Sequence, residues 1–128
     1  MIDGADGCGK TTVISYLKSV YQNNFLFTRE PGGSPFAEKI REVILSPDAK
    51  EASGLTQFGL FWAARADHLE KKIRPAIESG INVVSDRFDS SSYAFQIHGQ
   101  EMASLERIFM QMRQICLGET VKELFDLL

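Results

Sequence analysis

The stretch Gly4-Ala5-Asp6-Gly7-Cys8-Gly9-Lys10-Thr11, with Thr12 directly behind it, constrains this chain more than any other. It reads G-x-x-x-x-G-K-[ST], the loop that cradles a polyphosphate. Such a loop turns its backbone N–H groups inward, and side chains at Gly4, Gly7 or Gly9 would block the anion's approach. Lys10 then supplies a point charge to the terminal phosphates and Thr11 offers a hydroxyl to Mg²⁺. The helix that starts here aims its positive end at the anion. The competing reading is a Gly-rich turn before a helix. Such a loop connects a buried parallel strand to its helix, and Met1, Ile2 and Asp3 precede it here, so the central strand is expected to be missing or nearly so.

With 128 residues the chain is one domain at most, read as a single, partial domain over 1–128. Hydrophobic residues make up 44% and charged residues 24%, as in ordinary soluble proteins, and a net charge of -3 without a basic run argues against nucleic-acid binding. The apolar runs are too short to span a bilayer and the N-terminus lacks a signal-peptide layout, so no membrane partner and a cytoplasmic location are expected. Cys8 and Cys116 form no metal or redox motif, and Cys116 reads as a core thiol. His68 and Glu70 make an H-x-E without the P-C-x-x-C of zinc deaminases, which leaves His68 and His98 as surface or packing residues.

Along the chain, Thr11 to Gln22 reads as a helix with an apolar stripe of Val13, Ile14, Leu17 and Val20. Phe25 to Thr28 suits a buried strand that ends in the turn Arg29-Glu30-Pro31-Gly32-Gly33. Ligands of open α/β sheets bind beyond the carboxyl ends of strands, so Arg29 lies where a substrate is expected, unless it is a solvated loop residue. Ser34 and Pro35 open a helix through Ile44, and residues 48–54 read as a polar loop. From Leu55, a stripe of Leu55, Trp62, Ala66, Leu69 and Ile73 marks a helix core face, with Phe58, Phe61, Arg65 and His68 beside it as a pocket wall or a covered helix edge. Pro75 breaks or restarts that helix, and Gly80 caps the continuation.

Ile81 to Ser85 is a β-branched strand with Asp86-Arg87 at its carboxyl end. Asp86 there is placed to hold Mg²⁺ or its waters and Arg87 to bridge phosphates; the alternative is an Asp86–Arg87 ion pair closing the strand. Asp89 to Gln96 reads as a polar, aromatic-interleaved loop or helix start. Met102 to Cys116 reads as a helix with Leu105, Ile108, Phe109, Met112 and Ile115 inward. Val121 to Leu128 suits a helix, with Leu124 to Leu128 open to a strand reading. Alternating strands and helices define an α/β class with a parallel sheet: a P-loop nucleoside-triphosphate hydrolase-like three-layer fold, incomplete. Neither an N-K-x-D nor a separate D-x-x-G is present, which argues against a GTP switch. A small kinase fits, with Lys10 and Asp86 on the donor side and Arg29, Arg65 and Arg87 for an acceptor phosphate and base.

The runs IDGADGCGKTT from Ile2, FTREPGGSPFAEKIREVIL, LFWAARADHLEKKIRPAIESG and VVSDRFDSSSYAFQ resemble, in order and separation, the thymidylate kinase family of bacterial type, from Ile2 to about Gln96. The resemblance implies transfer of the γ-phosphate of ATP to dTMP, giving dTDP for dTTP synthesis, with Mg²⁺ and in a homodimer. It implies that Gly4 to Thr12 hold ATP and that Lys10, Asp6 and Arg87 serve catalysis. It further implies that Thr11 and Asp86 hold the metal, Asp6 the sugar 3′-hydroxyl, and Arg29 and Arg87 the acceptor phosphate. Phe61 would stack on thymine and Arg65 donate to its O4. Ser92 takes the place of a residue that reads N3, Phe95 lies at the 2′ position, and Gln96 completes the substrate residues. Gly7 follows Asp6 where one subtype has an arginine, which implies the subtype whose catalytic arginine sits on a lid beyond residue 128. Phe95 replaces a common tyrosine, Gln100 a common arginine and Ser34 a threonine. The alternatives are a truncated, non-catalytic remnant that binds nucleotide at most, and another nucleotide or nucleoside kinase.

Overall fold

The computed structural model describes the backbone over residues 1–125 and side chains over residues 1–118. Strands β1 (Phe25–Arg29) and β2 (Asn82–Asp86) pair in parallel, Phe25 opposite Asn82 and Arg29 opposite Asp86. Ile2 continues the sheet as a single parallel bridge to Asp86, its N–H donating to the Ser85 carbonyl at 2.8 Å and its carbonyl accepting from Arg87 N–H at 2.9 Å. The strand before the phosphate loop is thus reduced to one bridging residue, as expected.

Side chains alternate across a strand, so the two faces of β1 meet different helices. Phe25 meets Tyr21 edge-on at 5.4 Å and Phe27 takes Lys18 over its ring at 5.8 Å, both from α1 (Lys10–Tyr21). Thr28 instead reaches His68 of the long helix α4 (Gly54–His68). Helix, sheet and helix therefore form three layers. Helix α2 (Pro35–Ile44) packs on α4, tied by Ser34 Oγ donating to Asp67.

Residues 48–54 correct the expectation of a loop. Pro47–Glu51 is a short helix, α3, whose N-cap Ser46 accepts from Ala49 N–H, and Ser53 caps α4 by accepting from Thr56 N–H. At Pro75 the helix restarts rather than breaks: α4 passes through a π-helical turn at Leu69–Ile73 into α5 (Arg74–Glu78), which has Pro75 in its first turn. A proline lacks a donor and crowds the carbonyl one turn back, and the wider turn before Pro75 accommodates both. Gly80 (φ 74) ends α5 as expected. After β2 come α6 (Asp89–Ser92), a π-helical turn at Tyr93–Gly99, a 3₁₀ turn at Ala103–Leu105, and α7 (Glu106–Phe125), which is interrupted at Gly118. Residues 126–128, where a strand was the alternative, lie outside the described residues.

Among the described residues two apolar clusters form the core: Leu69, Ile73, Phe88 and Leu117, and Phe58, Trp62, Ile97 and Phe109. Cys116 packs against both, and burial pushes its thiol up, as suits a core residue. Several stripe assignments change. In α1 Ile14 is buried while Val13 and Val20 are exposed; Leu55 is exposed, and Phe58, Arg65 and His68 are buried along with Trp62, Leu69 and Ile73 of the stripe beside them. In α7 Phe109 is buried but Ile108 and Ile115 are exposed. Both strands are only half-buried, because the sheet is narrow and helices cover part of each face.

Candidate functional site

The loop from Gly4 to Gly9 holds the strained backbone its sequence demands: Gly4, Gly7 and Gly9 have φ of 152°, 80° and 93°. A Cβ at Gly7 or Gly9 would meet nothing within 4 Å, so there it is the left-handed conformation, open to an incoming anion, that requires glycine. Lys10 arches back over the loop, its Nζ donating to the carbonyls of Gly4 at 2.8 Å and Ala5 at 2.7 Å. The amine is held where a phosphate would meet it, on contacts an anion can replace.

Thr11 and Asp86 line one groove of about 660 Å³ beside the loop. Asp86 Oδ1 is buried without a hydrogen-bond partner. A hydroxyl and an unsatisfied carboxylate oxygen are hard ligands of the kind Mg²⁺ takes, so the residues fit that ion. Arg29 lines this groove too, paired through Nη2 to Glu38 Oε2 at 3.0 Å. Glu38 also accepts from the Gly33 amide, and the two bonds hold its carboxyl below the usual range.

A separate cavity of about 330 Å³ opens beside Asp6. It brings together Asp6, Arg65 and Arg87 with Ser92 and Gln96, and its walls include Phe61, Phe88 and Phe95. Arg65, 2% exposed, is fixed from several directions. Its Nε donates to Glu30 Oε2 at 2.7 Å, and its Nη2 donates to the Phe88 carbonyl at 3.2 Å and to Ser92 Oγ at 2.9 Å. The guanidinium also lies 4.7 Å from the Trp62 ring centroid. Its Nη1 is buried and has no partner, and so are both polar atoms of the Gln96 amide. Buried polar atoms are ordinarily satisfied, so three orphans on residues that line one cavity mark it as a place for a polar ligand.

Arg87 closes the side nearest the phosphate loop. Its backbone is left-handed (φ 66°) although it is not glycine, a strain that concentrates at functional sites. Its Nη2 donates to Asp6 Oδ1 at 2.7 Å, its Nη1 to Ser91 Oγ at 3.1 Å, and its guanidinium lies over Phe95 at 5.6 Å. Arg87 thus pairs with Asp6 and Asp3, and the alternative of an Asp86–Arg87 pair is not realised. Asp3 anchors the arrangement, accepting from Ser90, Ser91 and the Gly4 amide. Partial burial pushes its carboxyl up, but those hydrogen bonds and Arg87 more than offset this and leave it below the usual value.

Of the residues expected to bind substrate, Arg29 alone stands outside the cavity, in the neighbouring groove. The sequence reading missed Asp3, Glu30 and Ser91. Glu30 was the most accessible of these, since it adjoins Arg29, but its partner Arg65 lies 35 residues away. His68, expected at the surface or in packing, is fully buried with both ring nitrogens within hydrogen-bond reach of partners, while His98 is exposed with its ring 5.0 Å from that of Tyr93.

A glycine-rich loop that opens a helix beside a parallel sheet, with Lys10 in the loop and a polar cavity at the strands' carboxyl ends, defines an α/β protein of the P-loop class. The chain belongs to the thymidylate kinase family, whose model, described as "Thymidylate kinase", matches residues 2–114. A thymidylate kinase of Hahella chejuensis is 42% identical over 105 residues, covering 80% of this chain and 50% of that protein. One from Marinomonas sp. is 41% identical, covering 84% and 53%. The crystal structure of thymidylate kinase from Ehrlichia chaffeensis superposes with a TM-score of 0.76 at 33% identity, covering 89% of this chain and 65% of that one. The chain spans about half the length of the curated relatives it matches. No described helix is long and apolar enough to cross a membrane.

Proposed function

We propose that this chain binds dTMP in the cavity beside Asp6 and ATP on the phosphate loop, and that the protein transfers the γ-phosphate between them to give dTDP. The observation that carries the reading is the set of unpartnered atoms, Arg65 Nη1 and the two polar atoms of Gln96, on residues that line an aromatic-walled cavity next to the loop. A base edge with a carbonyl at position 4 and an N–H at position 3 offers an acceptor to the arginine and a donor to the amide or to Ser92. Cytosine would turn an amino donor toward the arginine and leave buried donors unpaired. Phe61 supplies a stacking face and Phe95 leaves little room for a 2′-hydroxyl.

Asp6 accepts from the sugar 3′-hydroxyl, and Arg87, already aimed by Asp3, Asp6 and Ser91, takes the acceptor phosphate, with Arg29 joining it on leaving Glu38. On the donor side Gly4 to Thr12, Cys8 included, wrap the triphosphate, and Lys10 exchanges its loop carbonyls for phosphate oxygens. Thr11 and Asp86 would hold Mg²⁺, which supplies positive charge to the transferring group. Phosphoryl transfer is catalysed mainly by positioning and by such cations. A homodimer, a cytoplasmic setting and the absence of nucleic-acid partners belong to the same reading.

A second reading, nucleotide binding without turnover, is favoured by Gly7, which puts no cation in the loop beyond Lys10. One experiment separates the two: binding of dTMP, dUMP, dCMP and dGMP by calorimetry, followed by ADP release with each as acceptor. The kinase reading expects dTMP to be preferred in both. Binding with no ADP release supports the second reading, equal binding of all four overturns the dTMP site, and binding of none overturns both.

A further inference from the structure

His68 is the most completely buried polar side chain in the described structure, at 0% exposure, and the chemistry above does not use it. Its Nε2 lies 2.6 Å from Thr28 Oγ1 and its Nδ1 lies 3.2 Å from Glu30 Oε1. Glu30 in turn gives its other oxygen to Arg65 Nε at 2.7 Å. Gly33 leaves room for the arrangement, since a Cβ there would come within 2.2 Å of His68 Nε2. We propose that His68 and Glu30 are positioning residues for base selection, a buried relay from Thr28 that holds Arg65 with both N–H bonds of Nη1 left over for the acceptor base.

The argument is one of counting donors against acceptors. A carboxylate oxygen accepts, so the bond between His68 and Glu30 runs from Nδ1–H, whichever way the bond between Nε2 and Thr28 Oγ1 runs. Glu30 therefore has one oxygen committed to His68 and one to Arg65. Arg–carboxylate pairs otherwise prefer two parallel bonds. Released from His68, Glu30 would swing to take both Nε and Nη2. It would then compete with the Phe88 carbonyl and Ser92 Oγ, which set the rotation of the guanidinium. The orphaned Nη1 would lose its aim. His68 thus keeps Glu30 single-handed, and the direction of Nη1 follows. Arg65 and His68 are one turn apart on the same helix, and Thr28 and Glu30 come from the end of β1 and the turn after it, so the relay locks α4 to that turn.

This inference rests on the reading of the cavity as the dTMP site, and the test separates the two. Dissociation constants for dTMP, dCMP and ATP are measured for the whole chain and for two variants. His68→Asn keeps a donor near the Nδ1 position, and His68→Gln places its amide near Nε2 and leaves Glu30 without its partner. In the unaltered protein dTMP binds at least about thirtyfold tighter than dCMP. His68→Gln reduces that ratio about tenfold or more while ATP affinity stays within about twofold, and His68→Asn restores most of the ratio. An unchanged ratio in a folded His68→Gln protein overturns the relay alone. No preference in the unaltered protein overturns the dTMP site itself and the relay with it. Should His68→Gln fail to give a cooperative melt, ¹⁵N spectra of histidine-labelled unaltered protein decide. A proton on Nδ1 supports the relay, and a ring protonated on Nε2 alone overturns it.

Discussion

Asp3 shows how one carboxylate can tie a loop to a strand end. Besides the adjacent Gly4 amide it collects Ser90, Ser91 and Arg87, partners far along the chain that meet it only in the fold. Its carboxyl is lowered in the folded state, so the stability it contributes is present above the unfolded value of 3.8 and is lost as pH falls through the folded value. Asp3→Asn should therefore lower stability at pH 7 by about 1–2 kcal/mol in urea denaturation, and the difference from the unaltered protein should shrink toward pH 2. An equal difference at both pH values would count against this account. At Gly33 the constraint is steric and conformational: φ is 96°, and a Cβ would overlap His68 and Thr28. Gly33→Ala should cost about 3 kcal/mol or more by the same measurement. Neither contact was legible in the sequence, because each joins residues whose spacing along the chain carries no signal.

Among the elements, the helices were found where periodicity and caps placed them, whereas the faces they bury were less legible. Val13, Val20, Ile108 and Ile115 are apolar at helical spacing and still exposed, because a period names a face but not whether a neighbour reaches it. The short helix α3 was hidden by its polar composition, although Ser46 and Pro47 are the cap and first residue of a helix start. The helix from Gly54 to Glu78 survives Pro75 through its π-helical turn, which keeps Leu69 and Ile73 inward. The aromatic cluster should dominate the stability of the α4–α7 contact. Phe109 meets the Trp62 ring at 5.3 Å and that of Tyr93 at 5.2 Å, and Phe109→Ala should cost about 3–5 kcal/mol in chemical denaturation. Ile115→Ala, at a position 73% exposed, should change stability by less than about 0.5 kcal/mol.

Among the described residues the core clusters are small, four buried residues each beside a sheet of two strands and a bridge, so stability should lie at or below about 5 kcal/mol. Ligands should then have a large effect: ATP at a hundredfold excess over its Kd should add about 2.7 kcal/mol, a rise in Tm of about 10 °C. Lys10→Ala should remove most of that rise, and an equal rise in this variant would show that ATP binds elsewhere. The loop from Gly4 to Thr12, the elements α1, β1, α2, α4 and β2, and the grouping of Asp6, Arg65 and Arg87 with Phe61, Ser92, Phe95 and Gln96 were all legible in the sequence. Local chemistry suffices for the first two: glycines that alone accept the loop's φ values, β-branched runs, proline and serine caps. The grouping came through resemblance to a family. The tertiary structure alone decided that Arg29 sits with Glu38 in a separate groove, that Asp3 meets Arg87, and that Glu30, shared between His68 and Arg65, leaves Arg65 Nη1 unpaired. The reason is physical: a donor's free valence is what remains after every partner in space has been counted, and those partners are brought together by packing rather than by order along the chain.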